Sequence, residues 1–170
     1  GYEYSRTTNP TRTALEGALA SLESANWGLC FASGLAGIGA LMQRLKTGSR
    51  VIAGNDLYGG THRLFTQCYG QFGIEFEFVD TTDLDAVKAA AAKGPFDYLY
   101  VETPTNPLLQ LVDIAACAEI AHSHGAVCVV DNTFATPYLQ RPLELGADLV
   151  VHSLTKYLGG HSDVVGGSIL

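Results

Sequence analysis

Positive charge is scarce in this chain: 10 lysines and arginines stand against 17 aspartates and glutamates among 170 residues, a formal charge of -7 with a pI near 5.0. No stretch gathers Lys or Arg on one face, so a phosphate backbone would be repelled and nucleic acid is not expected as a partner. Long apolar runs are missing too. Nothing reaches the roughly 20 residues that span a bilayer, and the opening GYEYSRTTNP has neither the basic start nor the apolar core of a signal peptide. A cytoplasmic protein without a membrane partner is expected. The cysteines Cys30, Cys68, Cys117 and Cys128 form no CxxC pair, which predicts buried free thiols rather than a disulfide framework or a metal cage. Histidines with ligand spacing are also lacking. His122 and His124 are two apart on a helix and face different ways, while His62, His152 and His161 stand alone, so no metal site is expected. His161, inside GGHSD, reads as a hydrogen-bonded turn residue.

What is present is apolar and small. With 47% hydrophobic and 16% charged residues the chain has the composition of a folded globular protein, and one domain of this length can bury about 70% of its unfolded surface. Helix-period segments alternate with short β-rich runs, which predicts an α/β fold with a mostly parallel sheet flanked by helices. Thr11 is the expected cap of a first helix carrying Leu15, Ala18, Leu19 and Leu22. Further helices are expected from Gly34 to about Lys46, from His62 to Phe72, from Asp83 to Lys93 and from Asp113 to His124. The strands fall near 28–31, 50–53, 76–79, 98–101, 127–130 and 149–151. The chain opens without Met and stops at VVGGSIL, in what reads as a strand, so an incomplete domain spanning 1–170 is expected.

Ligands of open α/β sheets gather beyond the carboxyl ends of the strands, and the polar clusters of this sequence fall there. Gly54-Asn55-Asp56, the run from Glu102 to Pro107, Asp131-Asn132-Thr133 and the run from His152 to Lys156 each follow an apolar strand. Asp131 ends Val127–Val130, so its carboxylate is partly desolvated and needs a cationic or protonated partner; taken alone it equally describes a strand-end cap. Lys156 follows Ser153 and Thr155. A lysine nucleophile must lose its proton, and burial beside other positive charge promotes that loss; alone, such a lysine is also an ordinary surface residue. Ser33-Gly34-Leu35-Ala36 reads as a tight turn into a helix whose exposed amides suit a phosphate, with Ser153 and Thr155 completing the cradle. Tyr58 is placed to lie on a planar ring or simply to pack. GLAGIG is not the GxGxxG fingerprint, and the acidic partner residue is missing as well, which counts against a nucleotide-binding Rossmann domain.

Several strings together resemble one family: YSRTTNPT, FASGLA, DLYGGTHRLF, ETPTNP, VVDNTFATP, QRPLELGAD and HSLTKYLGGHSDVVGG, in that order. They are similar to the Cys/Met-metabolism enzymes that use pyridoxal 5'-phosphate (PLP), the trans-sulfuration group of cystathionine γ-lyase and γ-synthase. The resemblance implies the PLP-binding large domain of an aspartate-aminotransferase-like fold, with a C-terminal small domain outside 1–170. It implies roles as well. Lys156 would carry the cofactor as a Schiff base and shuttle protons, Asp131 would pair with the pyridine nitrogen, Tyr58 would stack on the ring, and Asn106 would bond its phenolic oxygen. Ser33, Gly34, Leu35, Thr133, Ser153 and Thr155 would complete the cofactor site, chiefly at the phosphate. Tyr4 and Arg6 would bind the phosphate of a neighbouring subunit in a shared-site homodimer, within a homotetramer. The reaction implied is γ-elimination or γ-replacement on cystathionine or an activated homoserine, with cystathionine β-lyase, methionine γ-lyase and O-succinylhomoserine sulfhydrylase as alternatives. Gly60 stands where methionine γ-lyases carry a reactive cysteine, and ETPTNP departs from the ETIGNP-like form of the large O-acetylhomoserine sulfhydrylases.

Overall fold

Strand and helix alternate along the chain, as the apolar pattern predicts. The computed structural model describes residues 1–170 and orders them as α1 (Pro10–Glu23), β1 (Leu29–Phe31), α2 (Gly34–Met42), β2 (Arg50–Gly54), α3 (Gly59–Arg63), β3 (Glu75–Val79), α4 (Leu84–Ala91), β4 (Tyr98–Glu102), α5 (Ile114–Ser123), β5 (Val127–Asp131), α6 (Thr136–Leu139), β6 (Leu149–Ser153) and β7 (Gly167–Ile169). One seven-stranded sheet results, in the order β1-β7-β6-β5-β4-β2-β3. The five strands from β3 to β6 are parallel, whereas β7 runs antiparallel to both neighbours. From β2 the chain goes outward to β3 and then returns to β4 on the other side, so the topological switch lies between β2 and β4.

Period-two alternation divides the core. Tyr98 and Tyr100 of β4 join one apolar cluster with Val51, Ala53 and Val129, while Leu99 and Val101 join another with Ile52, Cys128 and Val130. Strands buried on both faces need cover on both faces. Helices α4 and α5 supply one layer through Val87, Ala90, Cys117 and Ala121, and α2 supplies the other through Ile38, Leu41 and Met42.

Local differences from the sequence expectations have identifiable causes. The cap of α1 is Asn9, not Thr11: its side chain accepts from the N–H of Thr11 and Arg12, and Pro10 fits the first turn because an N–H is not needed there. Only Leu19 of the expected apolar face is buried, beside Ala20 and Glu23, whereas Leu15 and Leu22 stay exposed. Helix α2 stops at Met42, and the expected helix 62–72 breaks into α3, a π-helical stretch over Leu64–Cys68 and a 3-10 turn over Tyr69–Phe72. Thr66 Oγ1 donates to the carbonyl of His62 at 2.8 Å there, a back-bond that competes with the helix ladder. Cys117 and Cys128 are buried, and burial pushes their thiols up to about 11 and about 12. Cys30 is half-buried, with its thiol at about 11, but Cys68 is exposed on the irregular stretch, contrary to expectation. His161 Nδ1 lies 2.9 Å from the carbonyl of Gly159, the turn contact foreseen for it. No helix is long and apolar enough to cross a membrane.

A buried polar network ties α1 to the sheet. Glu23 Oε1 meets His152 Nε2 at 2.6 Å and accepts from Asn132 Nδ2 at 2.9 Å, with both members of the Glu23–His152 pair fully buried. Gln140 Nε2 then donates to Asn132 Oδ1 at 2.9 Å and to the carbonyl of Thr103 at 3.0 Å. Removing one member strands the others without water, so Glu23→Ala is expected to cost about 3 kcal/mol of stability. Urea unfolding of the full-length apoprotein measures this. A loss below about 0.5 kcal/mol, the range of an ordinary surface substitution, would mean the network contributes little.

Candidate active site

The carboxyl ends of β2, β4, β5 and β6 surround a cavity of about 220 Å³. Every site residue expected from the sequence lines it except Tyr4 and Arg6. Asp131 closes β5 and is 7% exposed. Its Oδ1 accepts from the N–H of Thr133 at 3.1 Å and the hydroxyl of Thr133 at 2.6 Å, and Oδ2 accepts from the Tyr100 hydroxyl at 3.3 Å. Burial nonetheless dominates and lifts its pKa above the usual carboxylate range, outweighing those hydrogen bonds and the nearby His152. A carboxylate held this way is stabilised by a cation brought next to it. The hydroxyl of Thr133, in the cavity wall, donates to Asp131 and accepts from the Ser153 N–H at 2.9 Å, so it fixes those two neighbours.

A helix N-terminus forms another part of the cavity wall. Ser33 caps α2 by accepting from the N–H of Ala36 at 3.1 Å, which leaves the N–H groups of Gly34 and Leu35 without a partner in the chain. A Cβ on Gly34 would sit 2.9 Å from the Cβ of Ser153, and one on Gly167 would sit 2.1 Å from the carbonyl oxygen of Ser33. Only glycine at these positions lets the helix start approach the end of β6 closely enough for Ser153 and Thr155 to share its anion-binding amides.

Lys156 lies in the turn after β6, where its N–H donates to the Ser153 carbonyl at 3.2 Å and its carbonyl accepts from the Gly160 N–H at 2.8 Å. Its side chain is exposed, so the burial invoked for it from sequence is not found in this chain. Tyr58, half-exposed at 43%, and Asn106 stand on the loops after β2 and β4. Two polar wall residues were given no role by the sequence reading. Glu102 is buried and carries a pKa raised to about 8 by burial and then by the charge of Asp131. Thr61 is fully buried with its Oγ1 unpartnered. The only signals were ETPTNP, read for its Asn, and a lone hydroxyl in a glycine-rich loop. No group of three or more His, Cys, Asp or Glu side chains could hold a metal.

Tyr4 and Arg6 are exposed and away from the cavity wall, the Arg6 guanidinium lying 5.2 Å over the Tyr4 ring. Arg12 anchors their segment: Nη1 donates to the carbonyls of Ser5 and Arg6 at 3.1 and 3.3 Å, and Nη2 to that of Thr7 at 2.9 Å.

The family model for the Cys/Met metabolism PLP-dependent enzymes matches residues 1–170. The chain belongs to that family. Its cofactor is therefore PLP, and the cavity fits it: a buried acid suited to a protonated ring nitrogen, open amides suited to a phosphate, and the unpartnered Thr61 hydroxyl in the same wall. The chain is 57% identical over 170 residues to a probable cystathionine γ-synthase of Herpetosiphon aurantiacus, covering all of this chain and 53% of that protein. It is 52% identical over 168 residues to a cystathionine β-lyase of Lactococcus lactis subsp. cremoris, covering 99% of this chain and 44% of that one. A solved cystathionine γ-lyase from Lactobacillus plantarum, complexed with L-serine, superposes with a TM-score of 0.95 at 51% identity over 99% of this chain and 44% of the other. The chain thus spans about half the length of the curated relatives it matches.

Proposed function

We propose that residues 1–170 are the PLP-binding large domain of a trans-sulfuration enzyme that carries out γ-elimination or γ-replacement on cystathionine or an O-activated homoserine. The observation that carries this is the convergence of Lys156, Asp131 and the start of α2 on one cavity in a chain of this family. Bound PLP supplies an electron sink that lets bonds around the substrate Cα break heterolytically. Asp131 would hold positive charge at the ring nitrogen, Tyr58 would cover the ring and Asn106 would bond its oxygen. The amides of Gly34 and Leu35, with Ser33, Ser153 and Thr155, hold the phosphate. Lys156 Nζ anchors the cofactor and moves protons between substrate carbons as a general base and acid.

Gly60 supports the cystathionine reading over methionine γ-lyase: a Cβ there would lie 2.4 Å from Tyr58 Cε1, so the present Tyr58 position requires the glycine. The similarity to a β-lyase over nearly the same residues keeps β-elimination as a second reading. Incubating the full-length enzyme with cystathionine separates them. Cysteine with 2-oxobutanoate marks γ-elimination, homocysteine with pyruvate marks β-elimination, and cystathionine made from an activated homoserine and cysteine marks γ-replacement. Failure in all three assays would overturn the proposal.

The enzyme is further proposed to be cytoplasmic and to work as a homodimer with shared sites, paired into a tetramer, with Tyr4 and Arg6 serving the neighbour's phosphate. Their exposure away from their own cavity supports this. Arg6→Ala should then weaken PLP retention, and Arg6→Lys should be impaired too, because a point charge does not reproduce bidentate phosphate binding. Mixing Arg6→Ala with Lys156→Ala subunits should restore up to about a quarter of full activity, since roughly half of random dimers are hybrids and each hybrid holds one intact site. A mixture that exchanges subunits and stays inactive would contradict the shared site.

A further inference from the structure

Tyr58 and Asn106 stand on loops from different strands and share no hydrogen bond with each other, yet one buried side chain touches both. Glu102 ends β4 at 6% exposure. Its Oε2 accepts from the backbone N–H of Tyr58 at 3.0 Å and its Oε1 from the backbone N–H of Asn106 at 2.8 Å. A second carboxylate links the same loops from the other side: Asp56, two residues before Tyr58, accepts from the Thr105 hydroxyl and, at 3.2 Å, from the N–H of Leu108. Bonds therefore cross in both directions between the loop after β2 and the loop after β4.

This arrangement is costly. Glu102 pairs in register with Asp131 on β5, so two buried carboxylates lie side by side at the cavity floor. Burial, Asp131 and Asp56 all push the Glu102 carboxyl up, and only its two backbone bonds pull it down. A carboxyl at that depth is stabilised by little except the two amides it satisfies, and both of its oxygens are committed to them. That commitment separates it from a group free to exchange protons with a substrate.

We propose that Glu102 is a positioning residue for the cofactor site, its two oxygens locking the Tyr58 and Asn106 loops into one rigid jaw that grips the ring by its face and its edge. The inference rests on the reading of the cavity as the PLP site. It assigns to the glutamate of ETPTNP a role separate from that of the asparagine four residues later, and it explains why a carboxylate, rather than an amide or an apolar side chain, closes β4 beside Asp131.

The test uses the full-length holoenzyme with Glu102→Gln and Glu102→Ala. Glutamine keeps one acceptor and turns an amino group toward the other amide, whereas alanine removes both acceptors. Loss of hydrogen bonds of this kind predicts a rise in the PLP dissociation constant of roughly tenfold for Glu102→Gln and more for Glu102→Ala. The visible circular dichroism of bound PLP, which reports how the ring is held, should fall in the same order, while the substrate KM changes little and the pH profile keeps its shape. Borohydride should still fix the cofactor to Lys156 in both variants. Wild-type dichroism and affinity in Glu102→Gln, with Lys156 still labelled, would overturn the jaw. So would loss of one limb of the pH profile, because that marks a proton-transfer group. Absence of label on Lys156 in the wild type would instead overturn the site reading beneath it. Should Glu102→Ala not fold, the near-isosteric Glu102→Gln decides alone.

Discussion

Replacing Lys156 by alanine is expected to abolish the visible absorption of the bound cofactor and to slow turnover of the full-length enzyme by roughly a hundred- to ten-thousandfold, the usual contribution of a positioned proton-transfer group. No other lysine within residues 1–170 can stand in. Lys93 pairs with Glu77 at 2.5 Å, Lys88 pairs with Asp85 at 3.6 Å on α4, and Lys46 lies in the turn after α2; none of the three lines the cavity. The backbone around Lys156 is fixed by bonds to Ser153 and Gly160 that alanine keeps, and its side chain is exposed, so stability should change by less than about 0.5 kcal/mol. Absorbance, turnover and an unfolding curve on one preparation check all three statements. A variant that retains the visible band would contradict the assignment.

Asp131→Asn should bind PLP yet turn over at least about a hundredfold more slowly, on the order of 3 kcal/mol in the barrier. Asparagine matches the shape of aspartate but cannot hold the ring nitrogen protonated, and an unprotonated ring is a poor electron sink. The sign for stability is opposite to that for activity. Burial already disfavours the ionised form of Asp131, as its raised pKa records, so removing the charge relieves a cost in the apoprotein. The apo variant should therefore unfold no more readily than the parent. Near-normal kcat would reduce Asp131 to a strand-end cap. A large loss of apo stability would point to the bonds from Thr133 and Tyr100 as its main role.

What the sequence made legible was whatever repeats with a period or sits at a strand end. Continuous apolar runs along Tyr98–Val101 and Val127–Val130 marked buried strands, and the polar residue closing each run marked the rim. Long-range pairing was illegible. Glu23 reads as the polar end of α1 and His152 as a lone histidine, and only folding brings them to 2.6 Å. Glu102 was hidden for the same reason: its partners, the amides of Tyr58 and Asn106, are backbone groups that carry no side-chain signature. Short elements such as α6 were missed because four residues, with Pro137 in the first turn, are too few to carry a helical period. The desolvation expected for Lys156 was inferred from the apolar strand before it, but in the turn after β6 the residue is exposed while it lines the cavity.

Borohydride reduction of the full-length holoenzyme, followed by mass mapping of its peptides, tests the central assignment most directly. The pyridoxyl group should appear stoichiometrically on the peptide containing Lys156, and substrate added before reduction should lower the labelling. Modification of Lys46, Lys88 or Lys93 in its place, or of no lysine within residues 1–170, would contradict the account.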